Sequence, residues 1–130
     1  MATNVPVRES IEISEGKHTG KITKIEVRTD PYDYVDLFVE LDDVKDSKGN
    51  AGTIKDGCPL GISQRSKLGR TIMRFGCEES EILEKAKSGE EINIEPYLLE
   101  KKVDLMTKNQ ETKQGTFARI VEDSLKPLPE

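Results

Sequence analysis

From Tyr34 to Leu41 the chain alternates without a break: Val35, Leu37, Val39 and Leu41 are apolar, and Tyr34, Asp36, Phe38 and Glu40 stand between them. A period of two predicts a β-strand with one face in a core and the other turned outward. The same alternation starts near Gly16 but slips. Ile22 belongs to one face, whereas Ile25 and Val27 belong to the other, so the pleat is reset between Thr23 and Lys24. One extra residue does this, and a β-bulge that bends a long first strand is predicted there. Asp30-Pro31 supplies the turn between the two strands. Asp42 to Gly52 is charged and carries Gly and Asn, which predicts an exposed loop. A third, shorter strand follows near Thr53 to Ile62, with Pro59 limiting its pairing.

Beyond Ser63 the period changes. Leu68, Ile72 and Phe75 recur at helical spacing, with Ser63 or Ser66 as the cap and Gly76 as the stop. A second helix is predicted over Glu79 to Lys87, with Ile82, Leu83 and Ala86 on one side and Ser88-Gly89 at its end. An apolar passage from Ile92 to Leu99 leads to the last two strands, Lys102 to Thr107 and Thr116 to Val121, joined by a polar connection over Asn109 to Gly115. Lys126-Pro127-Leu128-Pro129 reads as a stop and tail. Val5, Val7, Ile11 and Ile13 mark residues 1–15 as an extended N-terminal arm or edge strand. Three strands, a helical segment and two strands make the order of a five-stranded OB-like barrel. That mainly-β domain would span 16–127, leaving 128–130 as the C-terminal tail.

A chain of 130 residues suits one domain with one core. Its net charge of −5 opposes phosphate binding on average, because that binding is driven by Lys and Arg displacing counterions. The distribution changes the picture. No acid lies between Gly57 and Cys77, where Arg65, Lys67, Arg70 and Arg74 occur. Lys17, Lys21, Lys24 and Arg28 likewise outnumber Glu26 on the first strand, and acid gathers instead in 30–46 and 78–100. Cys58 and Cys77 are far apart and predicted to be free, buried thiols. With neither an export signal nor a run of the roughly 20 apolar residues that span a bilayer, a cytoplasmic protein with no membrane partner is expected.

Catalytic chemistry has little material here. His18 is the one histidine and is expected to be a solvated side chain at a strand start. His18, Cys58 and Cys77 show none of the short spacings of a zinc site. Aligning Gly49 with the glycine of a calcium loop puts Val44 and Lys48 where oxygen ligands belong. No phosphate-cradling glycine motif occurs. No catalytic residue, metal or cofactor is expected, which favours a binding protein over an enzyme.

If the Val35 series fills the core, Tyr34 and Phe38 face outward beside Lys21, Lys24 and Arg28 of the neighbouring strand. Single-stranded DNA or RNA is held by such surfaces: bases stack on rings for about 1–3 kcal/mol each while cations follow the phosphates. Lys108 and Lys113 in the last hairpin, with Arg119 on the following strand, would close the channel. The alternative is a protein-interaction or assembly module. There the same rings bury against a partner or a second copy, and the cations pair with Asp36 and Glu40. Arg65, Lys67, Arg70 and Arg74 suit either a nucleic-acid stripe or the solvated face of an amphipathic helix.

Three segments carry a family likeness: Gly16-Lys17-His18-Thr19-Gly20-Lys21-Ile22, Lys67-Leu68-Gly69-Arg70, and Gly115-Thr116-Phe117-Ala118-Arg119-Ile120-Val121 ahead of Leu125-Lys126-Pro127. Together they resemble small phage and provirus proteins with an OB-like fold. The resemblance implies a single-stranded-DNA-binding protein encoded beside replication or recombination genes, with replication proteins as partners; self-association belongs to the assembly reading. The chain departs from typical members in having no Trp.

Overall fold

Val35, Leu37, Val39 and Leu41 are all buried, as their alternation requires, and they form the centre of the core. The computed structural model describes residues 2–5, 12–113 and 115–129, so Val7 and Ile11 of the expected arm lie outside the described residues. The Val35 series belongs to β2 (Tyr34–Lys45), which lies between β1 (Gly16–Arg28) and β3 (Ala51–Pro59). The β1–β2 register jumps between Ile22 and Lys24, which is the predicted bulge. The charged stretch after Leu41 is less loop than expected, because β2 runs on to Lys45 and β3 begins at Ala51.

The helical segment follows β3. Ser66 caps α1 (Lys67–Arg74), its side chain accepting the Gly69 amide at 3.0 Å. α2 (Glu79–Ser88) ends at Gly89 in the left-handed conformation. The apolar passage holds a one-turn helix, α3 (Glu95–Leu98), that the sequence pattern did not predict. Leu68, Ile72, Ile82 and Leu98 from these helices are buried in the same core as β2.

The fourth strand is longer than predicted, and the fifth keeps its predicted length one residue earlier. β4 (Lys102–Thr112) and β5 (Gly115–Ile120) form a hairpin in which Thr112 pairs with Gly115. Residues Asn109 to Thr112, expected as connection, are strand. The expected tail includes a short strand, β6 (Lys126–Pro127), which pairs with β4 and follows the buried Leu125.

The result is a six-stranded antiparallel sheet in the order β3-β2-β1-β4-β5, with β6 beside β4. It corrects the five-stranded closed barrel. β3 and β5 approach each other, but among the described residues no ladder or backbone hydrogen bond joins them. The cause lies in the hairpin: β4 pairs with β1 only from Lys102 to Thr107. Beyond Thr107 β4 pairs with β5 alone, so the hairpin extends past β1 and faces β3 without a ladder.

β1 holds the two halves together. Its first half pairs with β4 and its second with β2, and the two ladders overlap only at Gly20 and Lys21. A Cβ at Gly20 would lie 2.4 Å from the Glu40 carbonyl oxygen, so only glycine permits this approach. Among the described residues no helix is long and apolar enough to cross a membrane.

Candidate functional site

Register places the side chains on the outer face of β1–β3 in rows: Lys24, Phe38 and Lys55; Glu26, Asp36 and Gly57; Arg28, Tyr34 and Pro59. Tyr34 and Phe38 face outward and are half-buried, as alternation demanded. Each is already occupied. Lys24 Nζ stands 5.2 Å from the centre of the Phe38 ring and 3.0 Å from Glu26. The Arg28 guanidinium stands 5.3 Å from the Tyr34 ring centre. Arg28 is also fixed from below, donating to the two oxygens of Asp36 at 3.0 and 3.3 Å. Asp36, only 2% exposed, answers Lys55 as well, at 3.8 Å. Lys21 is paired with Glu100 at 2.6 Å. Lys21, Lys24 and Arg28 are thus engaged within the protein, by carboxylates and, for the last two, by the rings they were expected to assist.

The open seam between β3 and the β4–β5 hairpin forms a groove of about 1990 Å³. Sites for small ligands run to about 300–1,000 Å³, so this one has the dimensions of an extended ligand. It brings Arg28 and Tyr34 together with Lys113 and Arg119, and adds Lys55, Lys67 and Phe117. Lys21, Lys24 and Phe38 lie outside it. Lys108 also lies outside, pairing with Arg119 across the hairpin and bordering a smaller hollow beside it.

Phe117 is the ring that sequence reasoning missed. It is 52% exposed, and among the described residues no cation stands over it. Phe117 and Arg119 share a face of β5, because the register turns Ile120 inward against Thr107 and leaves the odd positions outward. Lys55 was also missed, since nothing in the sequence says that a strand edge would face the hairpin.

Acid in the groove is largely answered from within. Asp36 meets Arg28, and Glu122 meets Arg70 at 3.3 Å. Lys67 Nζ donates to Asp56 at 2.7 Å and to the Gly57 carbonyl at 2.9 Å. Burial raises the pKa of Asp56 even so, and Lys67 opposes that rise. Burial, with Asp56 nearby, pushes the Cys58 thiol up to about 12, which leaves it an inert core group rather than a nucleophile. By contrast, no ion pair engages Lys108, Lys113 or Arg119 among the described residues.

No family model matches the chain, and no curated protein does either.

Two other expectations resolve in the structure. The basic residues of α1 are tied down: Arg70 Nε and Arg74 Nη1 both bind Asp123, at 3.0 and 3.1 Å, and Arg74 Nε donates to the Leu125 carbonyl at 2.8 Å. They fasten the turn before β6 to the helix. His18 is not the solvated side chain expected from its polar neighbours. It faces inward opposite Leu105 and is 3% exposed. Its Nδ1 lies 2.9 and 3.0 Å from the Asp43 oxygens, and its Nε2 lies 2.6 Å from the Ser14 carbonyl. Among the described residues no group of three His, Cys, Asp or Glu side chains is disposed to hold a metal ion.

Proposed function

We propose that this protein binds single-stranded nucleic acid along the groove between β3 and the β4–β5 hairpin, as a non-enzymatic module. The observation that carries the proposal is the meeting of an exposed ring, Phe117, with Arg119, Lys113 and Lys55 along one extended groove. Bases stack on a ring without regard to sequence, and Lys and Arg at its flanks follow the phosphates. Phe117 is the principal stacking ring in this arrangement, with Tyr34 across the groove held in place by Arg28.

The strand order, with its helical segment between β3 and β4, supports an OB-type domain opened along the β3–β5 seam. The phage and provirus likeness of the quoted segments extends the proposal to replication or recombination, in the cytoplasm, with replication proteins nearby. Fluorescence anisotropy with a labelled oligonucleotide tests it. Binding that weakens steeply with salt, and by about fivefold or more in Phe117→Ala, is expected. Absence of binding at low salt refutes it.

One observation favours a second reading, the assembly module. Among the described residues the facing edges of β3 and β5 lack a ladder partner, and an exposed edge accepts a strand from another chain. That reading expects a mass above the monomer by light scattering, insensitive to salt. A monomeric mass over a wide concentration range removes it.

A further inference from the structure

Residues 12–15 lead into β1 and are tied to the sheet at one end of the groove. The Thr107 hydroxyl donates to the Ser14 carbonyl at 2.8 Å, and Glu15 Oε1 accepts the Asn109 backbone amide at 2.9 Å. Ile13 packs against the core, and Glu12, Ile13 and Ser14 line the groove. The third tie is His18, whose Nε2 faces the Ser14 carbonyl at 2.6 Å.

A neutral imidazole has one N–H and one bare lone pair. Here both ring nitrogens face acceptors, the carboxylate of Asp43 from the end of β2 and a carbonyl of the segment. Only the doubly protonated ring satisfies both. We propose that His18 is held as an imidazolium that latches residues 12–15 to the sheet, and that loss of its proton releases this segment from the groove.

The charges around the ring agree. β2 presents Asp43 and, beside it, Asp42, which accepts the Thr19 hydroxyl at 2.9 Å. The segment presents Glu15. β4 presents Leu105 opposite the ring and the Thr107 hydroxyl on the same face, with Asp104 on the other face. On its own strand Lys17 is the neighbouring cation, exposed on the far side. Burial works against the charged ring, but the bonds to Asp43 and to the Ser14 carbonyl outweigh it, so the pKa rises above 6.5. A raised pKa means that the latch is fully engaged below the ordinary value and lost as pH climbs through the raised one.

Resting on the nucleic-acid reading, the latch also regulates the site. Glu12 is a groove acid with no ion pair among the described residues, and an engaged latch keeps it beside the phosphate path.

His18 is the only histidine, so its ring signals in a nitrogen-15 NMR titration from about pH 5 to 9 need no mutant for assignment. The ring is expected to stay doubly protonated past pH 6.5. Hydrogen-exchange protection of the Asn109 amide, corrected for intrinsic exchange, is expected to fall at least about tenfold above the midpoint. In Asp43→Asn the midpoint drops by about one unit or more. A wild-type midpoint at or below the ordinary value, or protection indifferent to it, overturns the latch, and this holds even if the variant fails to fold. Anisotropy with labelled oligothymidylate on both sides of the midpoint keeps the two proposals apart. Binding that tightens at the higher pH supports the regulation, binding that does not overturns it, and no binding at either pH overturns the function while the NMR result still decides the latch.

Discussion

The outer face of β1–β2 and the β4–β5 hairpin carry the same kinds of residue, rings and cations on strands, yet they are in opposite states. On β1–β2, Lys24 sits over Phe38 and against Glu26, Arg28 sits over Tyr34 and against the buried Asp36, and Lys21 is held by Glu100. On the hairpin, Phe117 is bare and Arg119, Lys113 and Lys108 have no ion pair among the described residues. A cation already paired with a carboxylate has less net charge to offer a phosphate, and a ring under a cation has one face fewer for a base. Composition therefore says where binding chemistry is present, and pairing says where it is available.

The contrast can be broken at several points. Lys67→Met leaves the buried Asp56 carboxylate unpaired and should cost about 3–5 kcal/mol of stability in urea unfolding. A double variant with Asp56→Leu should recover most of that. Phe117→Ala should weaken oligonucleotide binding by about 1–3 kcal/mol, roughly fivefold or more. Phe38→Ala, on the occupied face, should change it less than about threefold, and equal losses at the two rings would erase the distinction. Arg28→Leu strips Asp36 of its best partner and should cost about 1–2 kcal/mol of stability, moderated by Lys55 and by solvent at the half-exposed guanidinium. Smallest in stability are Lys113→Gln and Arg119→Gln, which should lie within about 0.5 kcal/mol of the parent. Each should nevertheless make the slope of log affinity against log salt shallower by about 0.7.

Much of the sheet was legible because alternation is a local signal. The outward Tyr34 and Phe38, the bulge at Thr23 and the capped helix after Ser66 all follow from spacings within a few residues. What was not legible depends on partners far along the chain. His18 is buried by Ser14 and by Asp43, 25 residues away, while its sequence neighbours are polar. Phe117 lies in a stretch where Phe117 and Val121 on one face and Ala118 and Ile120 on the other are all apolar. Local pattern could not say which face is inner. Counting back from a tight turn near Lys113, with Val103 and Leu105 fixed inward, would have turned Phe117 out. The open seam had no signal of this kind, since it reflects where β4 stops pairing with β1.

Gly20 carries a further consequence. It sits where β1 hands over from one ladder to the other, pressed against the backbone of β2 at Glu40. A side chain there must push β2 outward, and β3, hydrogen-bonded to β2, travels with it. β3 is one bank of the groove and the hairpin bearing Phe117 is the other. The gauge of the channel is thus set by one missing methyl group that touches nothing the ligand would meet.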